Sequence, residues 1–96
     1  MSLNSKQRAF LRGQAQQEDA IFQIGKGGVT PEVAQAVKTA LEARELVKIK
    51  TLETCPQNAK EACFMLCDMI GCESVQVIGS KFVLFMQKKK DSKYEI

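Results

Sequence analysis

The segment Gly25-Lys26-Gly27-Gly28 combines the residue types of this chain best suited to chemistry, and that chemistry is the holding of an anion. Glycines let a backbone turn sharply and let another backbone approach closely. Lys26 adds a full positive charge. Just beyond, Thr30 and Pro31 have the types of a helix N-cap and of a first helical residue. A helix start directs unpaired N–H groups and a partial positive charge at whatever lies before it. The apolar stretch Ile21 to Ile24 reads as a strand feeding this loop. A strand, a glycine loop and a helix start in succession suit a phosphate, although an ordinary tight turn is the plainer reading of the same residues. A nucleotide P-loop does not fit, because it needs G-x-x-x-x-G-K-[ST] and Lys26 is followed by Gly27.

Other basic residues cluster rather than scatter. Lys6, Arg8 and Arg12 fall on one predicted helix, with positions 8 and 12 on one stripe, and would extend a basic track or simply form a solvated face. Lys48 and Lys50 alternate with apolar residues and point off one face of a strand, where they contact a polyanion or blunt an edge. Lys88, Lys89 and Lys90 open a basic tail, which attracts phosphate at long range or serves only solubility. The net charge is only +3, so the distribution carries more weight than the total.

Catalytic chemistry has little support. The chain has no histidine, so a cysteine nucleophile would lack its usual base. The gaps between Cys55, Cys63, Cys67 and Cys72 fit no zinc pattern, and these thiols read as reduced and packed as small hydrophobes. The expectation is a non-enzymatic protein with no catalytic residues, no metal and no cofactor. No signal peptide or long apolar run is present, which reads as a cytoplasmic protein without membrane contact.

The elements that must position these residues follow from local patterns. With 96 residues, of which 45% are apolar, the chain makes one domain over 1–87 and a basic, flexible tail over 88–96. Leu3 to about Gln17 reads as a helix, capped by Asn4 and Gln7, with Phe10 and Leu11 toward the core. Pro31 to about Ala43 is a second helix, with Val33, Ala36, Val37, Ala40 and Leu41 as its apolar stripe. Leu46 to Leu52 alternates as a strand. Asn58 with Glu61 starts a third helix, which runs to Ile70 with Ala59, Ala62, Cys63, Leu66, Met69 and Ile70 inward; Gly71 ends it. Ser74–Ile78 and Lys81–Met86 form a hairpin through Gly79-Ser80, a pair suited to a type II′ turn. Phe22, Phe64 and Phe82 read as core. The order α-β-α-β-α-β-β, with the first two strands parallel and the last two antiparallel, predicts a two-layer α/β domain with a four-stranded mixed sheet.

These segments also resemble a known family. Leu3-Asn4-Ser5-Lys6-Gln7-Arg8 with Leu11-Arg12, Gln23-Ile24-Gly25-Lys26-Gly27-Gly28, Leu41-Glu42-Ala43-Arg44-Glu45-Leu46-Val47-Lys48 and Val75-Gln76-Val77-Ile78-Gly79 occur in the order and spacing of bacterial YhbY-like CRM domains, from residue 3 to about 86. The chain departs from that pattern at Gln16-Gln17, where many relatives carry a histidine, and at Phe85-Met86, where relatives often have Tyr-Arg. The resemblance implies a fold similar to the C-terminal domain of translation initiation factor three. It implies RNA contact through the GxxG loop Gly25 to Gly28, as in KH domains, and association with the large ribosomal subunit precursor and its ribosomal RNA. Phe85 falls at the family's aromatic position and becomes a candidate for stacking on a base. A monomer is expected. The alternative is a protein-interaction module that docks on a ribosomal protein or an assembly factor.

Overall fold

The computed structural model describes residues 3–88, 92 and 94. Seven elements follow in the predicted order: α1 (Ser5–Ala15), β1 (Phe22–Ile24), α2 (Pro31–Arg44), β2 (Leu46–Thr51), α3 (Ala59–Ile70), β3 (Glu73–Ile78) and β4 (Lys81–Phe85). The strands form one mixed sheet in the order β1-β2-β4-β3, with β1 and β2 parallel and the other neighbours antiparallel. Short-range chemistry fixes most boundaries. Asn4 and Gln7 satisfy each other's backbone N–H at 2.8 and 3.0 Å, and Asn58 and Glu61 repeat this reciprocal cap at the same distances. Removing either asparagine side chain costs about 1 kcal/mol by the usual worth of such caps. The Thr30 hydroxyl caps α2, and Pro31 is its first residue. In the hairpin Gly79 has φ +57° while Ser80 has no positive φ, as a type II′ turn requires.

The helices lie on both faces of the sheet, not in the expected single layer. Strand alternation explains why. Val47 and Ile49 of β2 with Phe82 and Leu84 of β4 form the main core under α2 and α3, which contribute Val37, Leu41, Ala62 and Leu66. The intervening residues Leu46, Val83 and Phe85, with Val75 of β3, face the other way and are covered by Leu3, Leu11 and Ala15 of the α1 segment. A central strand with apolar residues on both faces needs cover on both. The expected inward sets are therefore right in part. Leu11 is fully buried but its neighbour Phe10 is exposed; α2 buries Ala34 instead of Ala36; Met69 is exposed; and Phe64 is 74% exposed. Adjacent helix positions lie about 100° apart, so α1 turns Phe10 out when it turns Leu11 in.

The segment expected to be a loose tail is tied to this second core at the described positions. Glu45, the residue after α2, is fully buried with φ +69°. Its carboxylate accepts from the Lys88 N–H at 3.1 Å and from the Ser92 hydroxyl, and its carbonyl accepts from the Met86 N–H at 2.8 Å. Tyr94 packs edge-on against Phe85 with ring centroids 5.8 Å apart.

The thiols are packed as expected. Cys63 and Cys72 are buried, and the Cys67 and Cys72 sulfurs lie 3.9 Å apart. Hydrogen bonding to Cys67, then burial, pushes the Cys63 thiol well up. For Cys67 the bond with Cys63 pulls down, but contact with Cys72 and burial outweigh it and push the thiol up to about 12. Only the thiolate alkylates. Iodoacetamide at pH 8 therefore modifies Cys63 and Cys67 of the folded chain at least about tenfold more slowly than in the urea-unfolded chain. Equal rates, read by peptide mass spectrometry, would refute this packing.

Candidate nucleic-acid interface

The glycine loop leaves the end of β1 as a β-turn, in which the Gly28 N–H donates to the Gly25 carbonyl at 2.9 Å. Its glycines differ in what surrounds them. A Cβ on Gly27 would meet nothing within 4 Å. A Cβ on Gly28 would lie 2.6 Å from Gln57 Oε1 and 2.8 Å from Pro56 Cγ, and Gly28 has φ +66°. Gly28 is buried, whereas Lys26 and Gly27 are exposed. Gly28 is thus a structural glycine, and the freely presented part of the loop is Lys26-Gly27.

The amides follow the same division. The Val29 N–H donates to Gln57 Oε1 at 3.0 Å, and the Lys26 and Gly27 N–H groups have no acceptor among the described residues. The start of α2 offers less than its sequence suggests. Pro31 has no N–H, the Val33 N–H is held by the Thr30 hydroxyl at 3.2 Å, the Ala34 N–H by the Thr30 carbonyl at 2.9 Å, and Glu32 places a carboxylate in the first turn. The anion-binding capacity therefore rests on the Lys26 and Gly27 amides and the Lys26 ammonium, with little from the helix behind them.

The other candidates fall elsewhere. Lys6 and Arg12 are exposed on α1, and Arg8 is half-buried with its Nε donating to the Ser74 carbonyl at 3.1 Å, which pins α1 to β3. Because β3 and β1 are opposite edges of the sheet, three strand spacings, roughly 14 Å, separate Arg8 from the loop across the strands alone, and the loop also lies further along them. Arg8 and the loop do not form one contiguous patch. Lys48 and Lys50 lie on the sheet face that α1 partly covers, between the two. Phe85 is corrected: it is 1% exposed and locked between the second core and Tyr94, so no base can stack on it. Lys88 is half-buried beside Glu45, while Lys89 and Lys90 lie outside the described residues.

Two contributors escaped the sequence reading. Pro56 and Gln57, in the connection between β2 and α3, form the wall on which the loop rests. Lys81, read as the first residue of a strand, lies directly opposite Lys50. The alternation of β4 carried a signal for the face of Lys81, but the pairing of β2 with β4 had none in local sequence.

The model of the CRS1 / YhbY (CRM) domain matches residues 3–86, which include every element of the fold. The chain belongs to the CRM domain family. Among its relatives, the protein of Bacillus subtilis (strain 168) named "Probable RNA-binding protein YqeI" is 36% identical over 94 residues, covering 98% of each chain. One from Haemophilus influenzae named "RNA-binding protein" is 27% identical over 84 residues, covering 88% of this chain and 85% of its own. The solution structure of the hypothetical protein SAV1595 from Staphylococcus aureus superposes with a TM-score of 0.82 at 37% identity, covering 98% of each chain. The fold described above is therefore shared along essentially the whole CRM domain.

Proposed function

We propose that this CRM domain binds RNA, specifically ribosomal RNA of the large-subunit precursor, and that the loop Gly25 to Gly28 forms its central contact through Lys26 and Gly27, with Gly28 shaping the turn. The observation that carries the reading is the exposed Lys26-Gly27 turn, with two amides lacking acceptors among the described residues and clear space above Gly27. A phosphate oxygen fits amide donors beside an ammonium, and the missing side chain lets a sugar–phosphate backbone come close. Lys6, Arg8 and Arg12 supply further phosphate contacts from α1. Contacts of this kind fix position and carry little sequence information, so selectivity comes from RNA shape. The names of the two relatives above support RNA as the partner. Assistance in large-subunit assembly, in the cytoplasm and as a monomer, completes the proposal.

The test is a salt series on ribosomal RNA fragments with Lys26→Glu and Gly27→Asp as variants. About five phosphate contacts make affinity fall roughly a hundredfold between about 50 and about 200 mM salt. Both variants lose at least about tenfold in affinity, while their thermal midpoints stay with that of the parent because neither position is packed. Unaltered affinity in both would overturn the reading. The alternative, docking on a ribosomal protein or assembly factor, draws support from α3, which leaves Phe64 74% and Met69 46% exposed. It predicts loss of protein capture in Phe64→Ser with RNA affinity intact.

A further inference from the structure

Beyond the end of α1 at Ala15, the sheet face it covers lies open. The pairing there sets four residues in one row across all four strands: Gln23 on β1, Lys50 on β2, Lys81 on β4 and Ile78 on β3. Lys50 and Lys81 are direct cross-strand partners, which places their Cβ atoms about 5 Å apart. Like charges set opposite each other repel, and neither lysine has a carboxylate within 4.0 Å among the described residues. Lys48, one pleat further in on the same face, reaches the Glu18 carbonyl at 3.5 Å. A cleft of about 240 Å³ runs beside the row, lined by Ala15, Gln16, Lys48, Gln76, Ile78 and Lys81 among others. Ile78 is 62% exposed there and offers an apolar surface. The row begins two residues before the glycine loop, at Gln23, and the cleft reaches the last turn of α1 behind Arg12.

We infer that this open sheet face is a second phosphate-binding surface, on which a single RNA strand leaving the glycine loop crosses Lys50 and Lys81 toward Arg12. The inference rests on the RNA reading above and adds the path of the strand. The lysine pair has no carboxylate within 4.0 Å among the described residues, and a phosphate between the two ammonium groups supplies a counter-charge. The row also bridges the gap that separates the loop from α1. An RNA strand is favoured over an acidic peptide because the row is continuous with the open amides of the loop, and the glutamine and isoleucine ends of the row suit a base edge and a base face.

The test uses the full chain and fluorescein-labelled oligouridylates of four and twelve nucleotides, read by anisotropy across a salt series. The variants are Lys50→Gln with Lys81→Gln, and Lys26→Gln separately. For the longer probe, the double variant should lower the slope of log affinity against log salt by about 1.4, at about 0.7 per lysine on a single strand. Binding of the shorter probe should be unchanged, and the thermal midpoint should hold or rise because a repulsive pair is gone. An unchanged slope in the double variant, with loss in Lys26→Gln, overturns the inference and leaves the loop reading standing. Loss in the double variant with none in Lys26→Gln supports the sheet surface and overturns the loop. Failure of the parent protein to bind either probe, or displacement of the longer probe by polyglutamate of equal charge, overturns it.

Discussion

Gly28→Ala lowers the thermal midpoint by about 10–20 °C, whereas Gly27→Ala one position earlier leaves it within about 3 °C. At position 28 an alanine must adopt a φ of +66°, which costs roughly 1–2 kcal/mol for a residue with a Cβ. Its methyl group would also overlap Gln57 Oε1 and the Pro56 ring. Gln57 has a flexible side chain but is engaged with the Val29 N–H, and the proline ring cannot swing aside. Crowding of this kind adds about 1–2 kcal/mol. At position 27 the φ is ordinary and the space is empty, so nothing in the fold requires a glycine. Thermal melts of the two variants settle the stability question. RNA titrations of Gly27→Asp then isolate the functional one, because a glycine the fold does not need is needed for what approaches it. Equal melting of Gly28→Ala and the parent would show that Pro56 and Gln57 do not wall the loop.

Glu45→Ala is expected to destabilise the chain by about 2–4 kcal/mol and to release Tyr94. The carboxylate is fully buried and accepts hydrogen bonds from Lys88 and Ser92, so its removal strands half-buried donors. Glu45→Gly loses the same acceptor but relieves the strained backbone at φ +69°, which returns roughly 1 kcal/mol. The ordering is therefore parent, Gly variant, Ala variant. Tyr94 is the single tyrosine and there is no tryptophan, so tyrosine fluorescence reports its docking on Phe85 without interference. Urea titrations followed by tyrosine fluorescence and by far-ultraviolet circular dichroism check both effects. An Ala variant as stable as the parent, with Tyr94 fluorescence unchanged, would show that Glu45 does not hold the C-terminal segment.

The parts of this fold that were legible in the sequence are those decided within a few residues. Asn4 with Gln7, Asn58 with Glu61, Thr30 with Pro31, and Gly79 with Ser80 each carry their own geometry, and all four appear where their types place them. The position of α1 was not legible. Its stripe shows that one side is buried but not against which sheet face, and the Arg8 contact that fixes it reaches 66 residues along the chain, to Ser74. The same limit hid the difference between Gly27 and Gly28, which depends on Pro56 and Gln57 nearly thirty residues away. It hid Phe85 too: an aromatic residue at a strand end reads alike whether it faces water or a second core. Glu45 was the least legible, because a glutamate between a helix and a strand resembles any solvated charge until its burial is known.

Leu3 and Tyr94 both pack into the second core, Tyr94 against Phe85, and so at the pole of the sheet away from Gly25 to Gly28. Polypeptide joined before the one or after the other would thus emerge from the rear of the molecule. Affinity handles, fluorescent fusions or surface tethers placed at either junction leave the loop unobstructed, and an immobilised domain presents it outward.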